Sequence, residues 1–164
     1  MVKKIVILLL LACLPLAGGF LWLAELFEPG TASINIEQTS PEDLPYVTGG
    51  APKSASAKIL AVVTSTQSLG DSGLDTGYEH TELARAYYVF QANGFTVDIA
   101  SPLGGEPPAI FDTEDMGAYD YAFLNDQEAM RKVTNSIPLA QVHADVYQGI
   151  YFVGGKGAMF DYPR

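Results

Sequence analysis

The sequence predicts an α/β domain built on a parallel sheet, and three observations predict it. Two apolar runs without alternation, IYFV at 150–153 and ILAVV at 59–63, read as strands buried on both faces. Between them lies an amphipathic helical stripe, Leu83, Ala86, Tyr87 and Phe90, at spacings of three, one and three. The elements alternate strand, helix, strand, helix, strand, the order that yields parallel pairing through crossover connections.

The first 28 residues stand apart. Residues 5–27, IVILLLLACLPLAGGFLWLAELF, hold one charge, Glu25, near their end. A bilayer core about 30 Å thick needs roughly 20 such residues as a helix, so the stretch is long enough to span. Lys3 and Lys4 precede it and favour a cytoplasmic amino terminus. A cleaved signal peptide is the alternative, with a cut near Ala17, Gly18 and Gly19; the apolar run resumes at Phe20, which favours the uncleaved anchor. Either reading exports the rest: a single-pass membrane protein with its carboxyl-terminal domain outside the cytoplasm, or a secreted or periplasmic one. The lipid bilayer is then one partner. Cys13 is the sole cysteine and lies in this stretch, so no intramolecular disulfide can form.

Residues 29–57 are rich in Pro, Gly, Ser and Thr with isolated apolar residues, a composition that predicts a flexible linker. The globular part is assigned to residues 58–164. Its net partner chemistry is limited by charge: at −10 overall there is no basic stripe for a phosphate backbone, which excludes nucleic acid.

Within 58–164 the first strand ends at Thr64 and Ser65 and leads into a Gly/Ser/Asp loop, 66–77. The helix with the Leu83 stripe follows, with Gly94 placed as its C-cap glycine. Residues 96–100 form the next strand. Residues 102–124, with Gly104–Gly105 and Pro107–Pro108, read as one long loop. Asn125 is placed as the cap of the next helix with Glu128 as its reciprocal partner, and Met130 and Val133 supply its stripe. The last strand runs into Gly154, Gly155, Lys156 and Gly157. Ligands of parallel α/β sheets sit beyond the carboxyl ends of the strands, so this turn is the expected floor of a site. Three strands and two helices leave part of the sheet bare, so the chain reads as the amino-terminal half of a larger doubly wound domain, or as a half that a partner completes.

The segments KILAVVTS (58–65), TGYEHTELARAYYVFQANGFTVDIASPLGGEPP (76–108), FLND (123–126) and YFVGGKGAMFDYP (151–163) occur in that order. The set resembles the ThiJ/PfpI superfamily, whose fold is similar to type 1 glutamine amidotransferases, and within it the branch of glyoxalase-III and holding-chaperone proteins. The resemblance implies a flavodoxin-like three-layer sandwich, present here through its first three strands and preceded by the transmembrane helix. It implies cysteine-dependent chemistry on a small carbonyl compound such as a 2-oxoaldehyde, or on an amide, without a cofactor. A non-catalytic holding or binding module is the alternative, and a homodimer stays open.

The same resemblance assigns Glu82 as the catalytic carboxyl at the start of the first helix, and Gly155 as the oxyanion donor in a turn formed with Gly154, Lys156 and Gly157. Glu82 in a first helical turn sits in a favourable field as an anion and equally suits a plain solvated role. Preorganised N–H donors stabilise charge that develops on a reacting oxygen. Lys156 stands where many relatives carry histidine. The family's nucleophilic cysteine lies beyond the glycine turn, and no counterpart of it occurs here, so the chain is expected to be inactive as it stands. No metal site is expected: His80 and His143 are far apart in sequence, and Asp112, Glu114, Asp115 and Asp120 miss the register of a calcium loop and read as a solvated acidic loop.

Overall fold

Each of the three predicted strand runs pairs parallel with a neighbour. The structure, a computed structural model, describes residues 35–45 and 57–162. Strands β1 (Lys58–Val62), β2 (Tyr78–Glu79), β3 (Thr96–Ser101), β4 (Ala109–Ile110), β5 (Ile137–Pro138) and β6 (Gly149–Phe152) alternate with helices α1 (His80–Ala92), α2 (Ala118–Asn125), α3 (Gln127–Thr134) and the short α4 (Ala158–Asp161). The main sheet has the order β5-β3-β1-β6, all parallel, and β2 with β4 forms a separate two-stranded parallel pair. Central β1 is in register with both neighbours, Ala61 standing opposite Ile99 and Tyr151.

One face of the sheet carries the main core. Ala61, Val63, Val97, Ile99 and Val153 pack against Leu83 and Tyr87 of α1, Phe123 of α2 and Val133 of α3. Helix α1 buries Leu83 and Tyr87 of the predicted stripe together with Ala84 and Tyr88, while Ala86 and Phe90 are half-buried, so the buried face is turned from the predicted one. Tyr87, Tyr88 and Phe123 meet edge to face with centroids 5.2 to 6.4 Å apart, the arrangement ring quadrupoles favour. The opposite face is thinner among the described residues: Leu60, Val62 and Ala100 pack with Ile137, Val142, Tyr147 and Tyr162.

Four expectations change. Residues 102–124 are not one loop, because they contain β4 and α2; α2 buries the charged Asp120 beside Ala122 and Phe123, so its hidden face is not an apolar stripe, and Gly117 with Asp120 starts it. Asn125 does not cap α3. Asp126 does, its Oδ1 accepting from the Glu128 and Ala129 N–H groups at 2.8 and 3.1 Å. The sheet has a fourth strand, β5, too short to leave a hydrophobic signature. And β6 is an edge strand open on one face, with Ile150 46 % and Phe152 59 % exposed, because neither a neighbouring strand nor a helix covers that side among the described residues.

The stretch expected as a linker is packed where it is described. Ile36–Gln38 and Pro41–Asp43 form single 3-10 turns, Leu44 is buried in the main core, and the Asn125 amide donates to the Glu37 and Thr39 carbonyls at 2.9 and 2.8 Å. The predicted anchor, 1–28, lies outside the described residues, as does most of the rest of 29–57. Among the described residues no helix is long and apolar enough to cross a membrane.

Candidate active site at the diglycine turn

Strand β6 delivers the chain to the glycine turn at the carboxyl end of the sheet, and helix α1 begins directly beside it. The Glu82 Oε2 accepts a hydrogen bond from the Gly154 N–H at 2.7 Å, a contact between residues 72 apart in sequence. A Cβ on Gly154 would lie 2.5 Å from that oxygen and 2.9 Å from Oε1, so glycine is what lets the carboxylate seat there. The first-turn position places Glu82 at the positive end of α1, which favours the anion.

Gly155 adopts φ +106, open to glycine and strained for other residues. It backs directly onto β2: an added Cβ would meet the Gly77 carbonyl at 2.5 Å and the Glu79 nitrogen at 2.9 Å. The Glu79 N–H donates to the Gly154 carbonyl at 3.1 Å, which fixes the turn against the strand that launches α1. The Gly155 N–H donates to no acceptor among the described residues. Lys156 is exposed, and Gly157 is buried against Thr64, leaving no room for a side chain. The structure thus brings Glu82, Gly154 and Gly155 into direct contact or adjacency, while Lys156 and Gly157 extend the same turn.

A cleft of about 570 Å³ flanks this point, lined by Glu79, Glu82, Arg85, Asp112, Asp115 and Tyr151 among others. Its charge is lopsided, four carboxylates to one guanidinium. Burial first, then the neighbouring Asp112, Glu82 and Asp115 carboxylates, raise the Glu79 pKa, and its Oε1 is sealed without a partner. Burial and the Glu82 charge likewise push the Tyr151 hydroxyl up, and that hydroxyl leans on the Glu82 carbonyl at 3.4 Å. Arg85 holds the far wall: its Nη2 donates to the Asp120 carboxylate at 2.8 Å and to the Asp115 carbonyl at 2.6 Å.

The acidic loop is therefore not uniformly solvated. Asp120 is fully buried, closed by Arg85 and by the Gly117 N–H at 2.8 Å. His80 is enclosed between Phe111 and Phe123, its Nε2 donating to the Asp120 carbonyl at 3.0 Å, and burial lowers its pKa. Among the described residues no group of three His, Cys, Asp or Glu side chains is arranged to hold a metal ion.

With this geometry in hand, the comparisons with known proteins converge. No family model matches the chain. Over 103 residues, 57 % of this chain and 39 % of the other, it is 29 % identical to a Schizosaccharomyces pombe protein assigned as a glutathione-independent glyoxalase. The solved structure of the 24 kDa rapid encystment protein of Francisella tularensis superposes with a TM-score of 0.60 at 34 % identity, over 66 % of this chain and 48 % of that one. These matches are to the glyoxalase-III branch of the ThiJ/PfpI superfamily. Glyoxalase III from Candida albicans shares the fold, with a TM-score of 0.55 at 22 % identity over 66 % of this chain and 47 % of that chain. The chain spans about half the length of these structures and about two-fifths of the curated relative.

Sequence reasoning missed part of this cleft. Glu79 and Arg85 each lie three positions from Glu82, the spacing that puts side chains on neighbouring parts of one helix face, so they were within reach of a helical-wheel argument. Asp115 and Tyr151 were not: one comes from a loop 30 residues past Arg85, and the other from a strand read as wholly buried.

Proposed function

We propose that this ThiJ/PfpI domain contributes the carboxylate and the oxyanion donor of a cysteine-dependent site for small carbonyl substrates, 2-oxoaldehydes above all. The observation that carries the reading is the Glu82 carboxylate seated on the Gly154 N–H, next to a Gly155 N–H with no other acceptor among the described residues. A thiolate adding to an aldehyde carbon turns the carbonyl oxygen into an oxyanion, and a fixed backbone N–H stabilises that charge without reorganising. Glu82 would tune or relay the proton of the attacking thiol. The sole cysteine of the sequence, Cys13, belongs to the amino-terminal apolar stretch, and on this reading the 164 residues alone are expected to turn over no substrate. The apolar length of residues 5–27 supports, in the same reading, a membrane anchor with the domain outside the cytoplasm, or a cleaved signal that exports it.

Hydroxyacetone, an uncharged carbonyl compound, tests the site without chemistry. Its titration into the full chain is expected to shift the amide resonances of Gly154, Gly155 and Gly157 saturably, with Glu82→Gln weakening the effect, while methylglyoxal disappears no faster than in buffer. Turnover by the chain alone would refute the inactivity, and unshifted glycine amides would refute the site. Partition of the chain into the pellet after alkaline carbonate extraction tests the anchor.

A holding module is the second reading, and the open face favours it: Ile150, Phe152 and Met159 are 46, 59 and 75 % exposed. Suppressed aggregation of heated citrate synthase by the chain would support it, and unchanged aggregation would remove it.

A further inference from the structure

Tyr78 belongs to the two-residue strand β2, whose side chains alternate: Glu79 lines the cleft beside Glu82, and Tyr78 lines a different one. That second cleft, about 370 Å³, is walled by Pro108, Leu124, Met130 and Val133, with Glu106 at its edge. Tyr78 is only 3 % exposed, yet its hydroxyl makes no hydrogen bond among the described residues. The Tyr87 hydroxyl is also unpartnered but sealed in the core; the Tyr78 hydroxyl is not sealed. It opens on the cleft. A hydroxyl that opens on a cleft bonds to water there, so a ligand that displaces that water keeps affinity only by offering the hydroxyl a partner of its own.

The other polar features narrow what that partner is. Among the side chains lining the cleft, Glu106 is the only charged one, and no Lys or Arg is present. Thr134 is occupied, its hydroxyl donating to the Met130 carbonyl at 2.8 Å. The Glu106 carboxylate is near enough to raise the Tyr78 pKa further above what burial does. An anionic ligand would meet repulsion and no cation. A neutral head that accepts from the Tyr78 O–H and offers N–H donors towards Glu106 meets two complementary groups, while the apolar wall takes its body.

We propose that the cleft between β2 and α3 is a second small-molecule site, taking a compact apolar body with a carboxamide-type head that Tyr78 and Glu106 recognise. The site is separate from the diglycine turn, although it shares β2 with it: the Tyr78 Cα lies 3.0 Å from where a Gly155 Cβ would stand. The two clefts have no lining residue in common, so occupancy of this one is read apart from any chemistry at the first.

Benzamide, toluene and benzoate share one ring and differ in the head, so they separate the terms. Titrated into the full chain and followed by NMR, benzamide is expected to shift Tyr78, Met130 and Val133 saturably, and to bind about three- to tenfold more tightly than toluene, the worth of one net hydrogen bond. Benzoate should bind no better than toluene. Tyr78→Phe should bring benzamide to the toluene level and leave toluene unchanged, with an unaltered melting temperature because the lost hydroxyl had no partner. Equal binding of benzamide and toluene to the unmodified chain overturns the proposal without any variant. So do benzoate binding as tight as benzamide, benzamide shifts that miss these residues, and benzamide binding that Tyr78→Phe leaves intact.

Discussion

Glycines 154 and 155 are adjacent, and each has a different reason to lack a side chain. Alanine at 154 collides with the end of a flexible glutamate, 2.5 Å away, so Glu82 swings out and the fold barely notices. Alanine at 155 collides with the Gly77 carbonyl at 2.5 Å and must hold φ +106. Gly155→Ala is therefore expected to lower stability in urea by about 1–3 kcal/mol, and Gly154→Ala by under about 1 kcal/mol. The site responds in the reverse order: Gly154→Ala should abolish the hydrogen-bonded shift of its own amide, which Glu82→Gln should only weaken. Glu79 sets a pH dependence. Its native pKa is raised by burial and by three carboxylates, so its stabilising contribution is complete below about pH 4.5, the unfolded value, and is lost as pH rises through the native one. Glu79→Gln should match the wild type near pH 4 and exceed its stability at pH 7, as denaturant midpoints across that range will report.

Among elements, the clamp between α1 and α2 carries the most asymmetric energetics. Asp120 is fully buried, whereas the Arg85 side chain is 44 % exposed. Removing the arginine leaves a buried carboxylate with only the Gly117 N–H at 2.8 Å and the start of its own helix to answer it. Removing the aspartate frees an arginine that can turn to water. Arg85→Met is expected to cost about 3 kcal/mol or more, and Asp120→Ala less, with chemical denaturation as the measure. The same clamp fixes the loop that bears Asp115, so the far wall of the acidic cleft should loosen with it, visible as faster amide exchange at 112–116.

At the scale of the whole molecule, the sheet is covered on one side and thin on the other. Among the described residues, the exposed apolar side chains at the β6 edge include Phe152, which meets the Tyr162 ring at 5.4 Å between centroids, and Ile150. The double substitution Ile150→Thr with Phe152→Thr should cut apolar-dye binding and self-association while moving stability by no more than about 0.5–1 kcal/mol, because threonine keeps strand propensity and little burial is lost. Undiminished dye binding would place the sticky surface elsewhere.

What the chain's own letters determined is the part of the structure governed by short-range rules. Unbroken apolar runs specified β1 and β6, a 3.6-residue stripe specified α1, and paired glycines after a strand marked the turn on which Glu82 closes. Tertiary structure alone decided the rest. Helix α2 hides a charged residue, Asp120, on its buried face, so no apolar periodicity announced it; β5 is two residues long; and 35–44, polar enough to read as tether, is held by one leucine and one asparagine amide from a distant helix. The seating of Glu82 on Gly154, the sealing of Asp120 and the open hydroxyl of Tyr78 likewise depend on partners 30 to 70 positions away or on space between elements. Local propensity carries no information about such partners, because their energies exist only once the sheet has brought the segments together.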